Sequence, residues 1–447
     1  MNTLPDVFTW MTSAGLDAAK PWLVLGKGPS FSKRDHYDLT AYHLLSLNHV
    51  VRELPVTLAH LIDIDVVDTV GEALLANARA VVMPWHPHVD QVFHRKSLAE
   101  WADEKPVLGR LREEGRLLWY NLIGTGAQAR PDSPEVLVKY FSGEAAVNLL
   151  ATAGVRTIRS LGVDGGAQYS SKFKDLAGST LLVNGRSSFD RQFARIAQIL
   201  LRTGVDFAPL DVESPIRVYV ACTDSEMLAV RLLEYSLKKH TSMSVSVTPL
   251  HRVGIPVPIP KDPANHARTP FSFQRFLIPQ AAGRRGHAVY LDADMQVFQD
   301  FRELWTTPMD GADLLAVQEP EESGRGPQFS VMLLNCERLD WSIDEIVGRL
   351  DGGKMTYEEL MYKMAAGGRV ARTLSGKWNC LERYSESETG LLHYTDMETQ
   401  PWVYSQHPLG YLWCRDLLEA VATGFITIDV VREEIRLGHV RPSLLHQ

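Results

Sequence analysis

Short apolar runs that stop abruptly at glycine-rich or polar turns recur along the chain. Between them lie stretches whose apolar residues return at helical spacing. The first run is Trp22-Leu23-Val24-Leu25, with Pro21 at its mouth, where a strand tolerates proline, and Gly26-Lys27-Gly28-Pro29-Ser30 closing it. Val81 to Met83 ends at Pro84-Trp85-His86-Pro87-His88, Leu117 to Leu122 ends near Gly124, and Thr157 to Val163 runs into Asp164-Gly165-Gly166. Helices are predicted over Ser142 to Leu150 and Ser188 to Arg202, the latter with Phe189, Phe193, Ile196, Ile199 and Leu200 able to line one face. The second half repeats the pattern. Ile216 to Cys222 reads as a buried strand, Thr223-Asp224-Ser225 as a turn, and Glu226 to His240 as a helix with Leu228, Leu232, Leu233 and Leu237 on one side. His287 to Phe298 is an apolar run broken by two aspartates. Strands alternating with helices predict an α/β protein built on doubly wound, Rossmann-like sheets.

At 447 residues the chain exceeds what one hydrophobic core usually supports, so two domains are expected, 1–210 and 211–447. Their junction is placed in Val205 to Pro215. Proline-rich Gly254 to Pro270 reads as a loop at the edge of a site, and Glu319 to Pro327 as a mobile polar connection.

Hydrophobic residues make up 45% and charged residues 22%, the balance of an ordinary soluble globular protein. A net charge of −8 leaves no footprint for general nucleic-acid binding. No apolar stretch approaches the roughly 18 residues a membrane span needs, so membrane contact is expected to be peripheral at most. Met1-Asn2-Thr3-Leu4-Pro5-Asp6 lacks the regions of a signal peptide, and the dispersed Cys222, Cys336, Cys380 and Cys414 fit reduced thiols. A cytoplasmic protein is the expectation.

The chemistry centres on Asp292 and Asp294. Side chains of a buried strand alternate by period two, so both project to one side. Paired carboxylates repel each other and lose hydration unless a cation or donors neutralise them. A divalent Mg2+ or Mn2+ carrying a nucleotide diphosphate meets that need; solvated turn carboxylates are the plainer alternative. Arg275, about one helix upstream, is either a phosphate-binding fork or an ordinary surface arginine. His393 precedes Gln400-Pro401-Trp402, and a neutral imidazole can complete a manganese shell begun by two carboxylates. In the first half, the turn after Leu25 can offer backbone N–H groups to a phosphate or serve simply as a tight turn; it is neither a Walker loop nor Gly-X-Gly-X-X-Gly. Asp63-Ile64-Asp65 has no matching partner motifs and reads as strand-end structure, and His86-X-His88 as loop packing.

Four segments in order resemble the retaining glycosyltransferases of family 8: Ala221 to Asp224, Ser272 to Arg275, Tyr290 to Asp294, and His393 to Trp402. The resemblance covers most of residues 215–415. It implies a GT-A fold, a UDP-sugar donor and a carbohydrate or glycoconjugate acceptor. It further implies Mn2+ or Mg2+ on Asp292, Asp294 and His393, with Arg275 assisting the sugar nucleotide and Ala221, Thr223, Asp224 and Ser272 near it. Gln328 stands where the family has a sugar-contacting Asn ahead of its strand, here Val331 to Asn335, and Gln400 where it has a phosphate-neutralising Lys. Tyr357-Glu358-Glu359-Leu360 looks like the acidic segment beside the reacting sugar carbon, or a helix with surface glutamates. Transfer with retention then proceeds either by attack from the face the UDP leaves or by double displacement, with Glu358 as the carboxylate to test.

Gly28-Pro29-Ser30, Ser142-Gly143 and Leu161-Gly162-Val163-Asp164 are in turn similar to the sialyltransferase-like domain of bacterial motility accessory factors, distantly related to family 42. That resemblance implies a CMP-type nucleotide sugar near Gly28, Pro29, Ser30, Ser142 and Asp164, with His86, His88 and Tyr169 as candidate bases. A bifunctional enzyme is one alternative, and a degenerate nucleotide-binding module is another, since Gln328 and Gln400 depart from the family 8 pattern.

Overall fold

The computed structural model describes residues 4–123, 129–131, 133–183, 185–318 and 328–446. Glu319 to Pro327, expected as a mobile connection, and Gly124 lie outside them. The chain forms two compact units, Met1–Val212 and Glu213–Gln447. Both are α/β, as the alternation predicts.

The first unit is an eight-stranded, wholly parallel sheet. Its order is Asp206–Pro209, Thr157–Leu161, Trp22–Leu25, His43–Leu47, Val56–His60, Ala78–Pro84, Leu117–Ile123 and Glu135–Leu137. Alternation decides which residue serves which layer. Trp22 and Val24 pack with the helices Ser142–Thr152 and Arg191–Thr203, whereas Leu23 and Leu25 join Phe31 and Phe173 on the other face. Leu118, Tyr120 and Leu122 take the first face; Leu117 and Trp119 take the second, beside Val67, Val70 and Leu74. Burial on both faces is what lets these strands read as continuous apolar runs.

The boundary between the units, Val212 to Glu213, falls inside the expected junction. Within it, Asp206–Pro209 pairs with Thr157–Ser160 as an edge strand, so these residues belong to the first unit's sheet. An edge strand tolerates the proline that made this segment look like a connection.

The second unit has a six-stranded mixed sheet: Val245–Pro249, Ile216–Ala221, His287–Asp292, Val331–Asn335, Leu314–Val317 and Val370–Leu374. His287–Asp292 runs parallel to Ile216–Ala221 and antiparallel to Val331–Asn335. The mixed order accords with the GT-A-type expectation. A small second sheet joins Met295–Val297, Leu391–His393 and Cys380–Leu381. Among the described residues, no helix is long and apolar enough to cross a membrane.

Candidate functional site

In the second unit, Asp292 ends a central strand opposite Ala221, so two strands stop side by side. Asp294 follows, and Met295–Val297 then pairs antiparallel with Leu391–His393 in a register that sets Met295 across from His393. Tyr394 N donates to Asp294 O at 2.8 Å, fixing the same alignment. The small sheet thereby delivers a histidine remote in sequence to the Asp-X-Asp turn.

His393 Nε2 lies 3.1 Å from Asp294 Oδ1 and 4.0 Å from Asp292 Oδ2. One ligand atom from each of the three residues lies within 4.8 Å of the others. On the far side of the ring, His393 Nδ1 meets Asn379 Oδ1 at 2.9 Å. An amide oxygen only accepts, so Nδ1 carries the proton and Nε2 is turned to the carboxylates. Burial disfavours the imidazolium, yet the charges of Asp294 and Asp292 prevail and hold His393 above its ordinary pKa. The two carboxylates thus attract positive charge to this point. Asp294 Oδ1 is buried and, among the described residues, has no hydrogen-bonding neighbour besides that imidazole. Two carboxylates, an imidazole nitrogen locked from behind and an under-satisfied buried oxygen fit a divalent cation of the Mn2+ or Mg2+ kind.

These groups face a cleft of about 230 Å³, also lined by Glu226, Arg268, Ser272, Arg275, Gln328, Tyr357 and Gln400. Tyr290 Oη donates to Asp292 Oδ1. Arg275 is buried, with Nε on Ser272 O at 3.2 Å and one terminal nitrogen on Gln328 O and Phe329 O at 2.7 and 3.2 Å. Its other terminal nitrogen is 3.9 Å from Asp292 Oδ1, and the guanidinium lies 4.7 Å from the Tyr290 ring centroid. It is no surface arginine: Nε and one terminal nitrogen hold the Ser272, Gln328 and Phe329 carbonyls, and the other terminal nitrogen faces Asp292. Ser272 Oγ accepts from Thr269 N at 3.1 Å and shapes the same wall. Gln400 Nε2 donates to Asp294 Oδ2 at 2.9 Å and Tyr394 O at 3.1 Å, so its amide orients a carboxylate.

The remaining candidates sit elsewhere. Ala221, Thr223 and Asp224 do not line the cleft. Thr223 forms a capping box with Glu226, and Asp224 meets Arg252 and His251 at 3.0 Å each. Those bonds hold the Asp224 carboxyl below its usual range, Arg252 foremost. Glu359, expected beside the reacting carbon, is the capping-box residue of its own helix, with Thr356 N donating to Oε2 at 3.0 Å. It does not line the cleft. Glu358 is exposed and pairs with Arg268 at 3.3 Å, off the cleft wall.

Three contributors escaped the sequence reading. Asn379 had no local signal at all. Gln274 clasps the Cys222 backbone, accepting from its N–H and donating to its carbonyl at 3.0 Å each. Glu226 was legible as the last residue of the capping box Thr223-Asp224-Ser225-Glu226. Burial raises its pKa, and the nearby Asp294 and Asp292 charges add to the rise.

In the first unit the candidates have structural employment. Asp164 accepts from Ser30 N and Ser30 Oγ at 2.7 Å each, and Ser30 Oγ in turn accepts from Gly162 N. A Cβ on Gly26 would come within 2.2 Å of Gly162 O, and one on Gly28 within 2.5 Å of Asp164 Oδ2. The glycines are therefore explained by the close approach of two strand ends. Pro29 opens the short helix Pro29–His36, and Ser142 opens Ser142–Thr152. Ser142 and Asp164 line a separate cleft of about 550 Å³ together with Gly28.

Residues 233–357 match the family model described as glycosyl transferase family 8. Protein CDI of Arabidopsis thaliana is 29% identical over 111 residues, which cover 24% of this chain and 42% of that protein. The chain thus spans less than half the length of the curated relative it matches. Among solved structures, the galactosyltransferase LgtC in complex with donor and acceptor sugar analogues aligns at 13% identity and a TM-score of 0.33, covering 49% of this chain and 100% of LgtC. The bifunctional WbbM aligns at 14% identity and a TM-score of 0.34, covering 51% of this chain and 57% of WbbM. The α-2,3-sialyltransferase Cst-I from Campylobacter jejuni aligns at 11% identity and a TM-score of 0.27, covering 43% of this chain and 75% of Cst-I. Over residues 233–357, which include both cleft aspartates, the second unit is similar to glycosyl transferase family 8, as its motifs led us to expect.

Proposed function

We propose that the second unit transfers a hexose from a UDP-sugar to a glycan or glycoconjugate acceptor, with retention, and uses Mn2+ or Mg2+. The observation that carries this reading is the convergence of Asp292, Asp294 and His393 at one strand end, on the wall of a cleft. The family 8 match supports it over both aspartates.

Asp292, Asp294 and His393 would hold the cation. When bound, it would supply charge neutralisation for a departing diphosphate. The protein's part is to position. Asn379 fixes the imidazole, Gln400 orients Asp294, and Tyr290 with Arg275 orients Asp292. Such preorganised groups need no rearrangement as charge develops. With Glu358 and Glu359 off the cleft wall, attack from the face the leaving group vacates is favoured over double displacement. The acceptor proton then passes to the leaving phosphate oxygen.

The test is UDP release and sugar transfer by the full chain across a panel of UDP-hexoses, with Mn2+ or with EDTA. The wild type should turn over at least one donor, EDTA should abolish this, and Asp294→Asn should lose it. Asp294→Asn turning over at the wild-type rate would refute the reading. UDP binding without turnover of any donor would make the unit a nucleotide-binding module instead.

A further inference from the structure

Gln296 is a fully buried polar side chain of the second unit to which the proposed transfer gives no part. It sits two residues beyond Asp294, in the strand Met295–Val297 that pairs with Leu391–His393. Both ends of its amide are engaged. Nε2 donates to Asp416 Oδ2 at 2.6 Å and to Leu412 O at 3.2 Å, and Oε1 accepts from Tyr394 Oη at 2.7 Å. Tyr394 directly follows His393, so this last bond ties together the two segments that carry Asp294 and His393. None of Gln296, Tyr394 and Asp416 lines the cleft.

The far end of this run is anchored in two helices. Asp416 belongs to Gly410–Ala422 and is fully buried, and its Oδ1 accepts from Lys239 Nζ at 2.8 Å. Lys239, in Met227–His240, also donates to Glu419. Burial opposes the ammonium, yet Asp416 and Glu419 outweigh it and hold the Lys239 pKa above its ordinary value. Parting Asp416 from Lys239 would leave a buried charge uncompensated, so the pair resists rearrangement. Ser236 of the same helix holds the strand at a second point, its Oγ accepting from Val297 N at 3.0 Å.

The strands on which the Asp292, Asp294 and His393 cluster depends are short. Met295–Val297 and Leu391–His393 have three residues each, and Cys380–Leu381 has two. So short a ladder specifies its register weakly, and a slip by one residue turns every side chain to the opposite face. His393 would then leave the carboxylates. The same slip would separate Tyr394 Oη from Gln296 Oε1 and bury both without partners, which is costly. The amide is the group this place requires. A carboxylate there would repel Asp416, and a hydrocarbon would leave the phenol without an acceptor.

We propose that Lys239, Asp416, Gln296 and Tyr394 are positioning residues that form a register lock for the cation site. They keep His393 Nε2 turned to Asp292 and Asp294, and they make the helix Gly410–Ala422 part of the site from off the cleft wall. A side-chain network with every member satisfied is suited to that task, since it specifies one arrangement. The inference rests on the reading of Asp292, Asp294 and His393 as cation ligands.

Tyr394→Phe in the full chain tests it, removing one hydroxyl and keeping the ring. Titration of Mn2+ in the presence of UDP, followed by electron paramagnetic resonance, reads the affinity. The nitrogen modulation of the electron spin echo reads whether an imidazole ligates the ion. The wild type should show that modulation, and His393→Gln should lose it. Tyr394→Phe should bind Mn2+ about tenfold more weakly, the lower end for groups behind a metal ligand, with the modulation reduced. Tyr235→Phe, which removes a hydroxyl facing Glu419 outside the lock, should change neither. Gln296→Met is the second variant should Tyr394→Phe fail to fold, with the same loss expected. Undiminished modulation in a folded lock variant, whatever its melting temperature, would overturn the lock and leave the cation site standing. Wild-type protein that binds no Mn2+, or modulation that survives in His393→Gln, would overturn the cation reading and the inference with it.

Discussion

Each unit carries an Asp-X-Asp at the end of a parallel strand, and the two have opposite fates. After His287–Asp292, a second small sheet brings His393 within 3.1 Å of Asp294, and Gln400 and Tyr290 tie the carboxylates into place. After Val56–His60, Asp63 forms a bridge with His88, Asp65 turns to the Asp90 backbone, and the nearby cation is a lysine. The motif is the same, but the third group decides the chemistry. An imidazole held from behind completes a trio that fits a metal ion, whereas the first unit's Asp-X-Asp gathers no such trio among the described residues. The comparison also shows why Asp-X-Asp is weak by itself: its meaning lies in what the fold brings to it.

The largest effect should come from breaking the second-unit cluster. Asp294→Asn should cut transfer by more than about a hundredfold, since even groups one step behind a metal ligand are worth about ten- to a hundredfold. An unchanged melting temperature would show that the loss is local. Asn379→Leu should weaken Mn2+ binding by about ten- to a hundredfold, because His393 Nδ1 loses the acceptor that orients the ring. Full retention of affinity would make Asn379 a packing residue only.

The first unit responds through stability and pH. Asp63 has a folded pKa raised to about 6 from 3.8, so the folded state prefers the protonated carboxyl. Its stabilising contribution is complete below the unfolded value and is lost as pH rises through about 6. Asp63→Asn removes that dependence, and should raise stability by about 2 kcal/mol near neutral pH and by almost nothing near pH 4. Denaturant melts at the two pH values check this, and a pH-independent difference would contradict it. The smallest effect should be that of Glu359→Ala, which loses a helix cap worth about 1 kcal/mol with turnover unchanged. A collapse of activity would return Glu359 to the reacting centre.

Much of this architecture was legible because strand interiors are buried on both faces. Trp22–Leu25 has the bounds its apolar run predicts, and Val331–Asn335 those the family resemblance implies. Asp206–Pro209 was missed because an edge strand that ends in proline looks like a linker. Met295–Val297, Leu391–His393 and Cys380–Leu381 are too short for alternation to register, yet their pairing assembles the metal-type cluster. His393 was found through family resemblance; Asn379 behind it was not, since its role depends on a tertiary hydrogen bond. The Gly26 and Gly28 turn, readable in sequence as a phosphate loop or a tight turn, brings two strand ends into close packing.

The central claim is that Asp292, Asp294 and His393 form one divalent-cation site. Titration of Mn2+ into the full chain with UDP present, followed by electron paramagnetic resonance, tests it most directly. The account predicts one bound Mn2+ in the wild type, lost in both Asp292→Asn and Asp294→Asn while each variant stays folded. Wild-type protein that leaves Mn2+ free, or an Asp294→Asn variant that binds it equally well, would contradict the account.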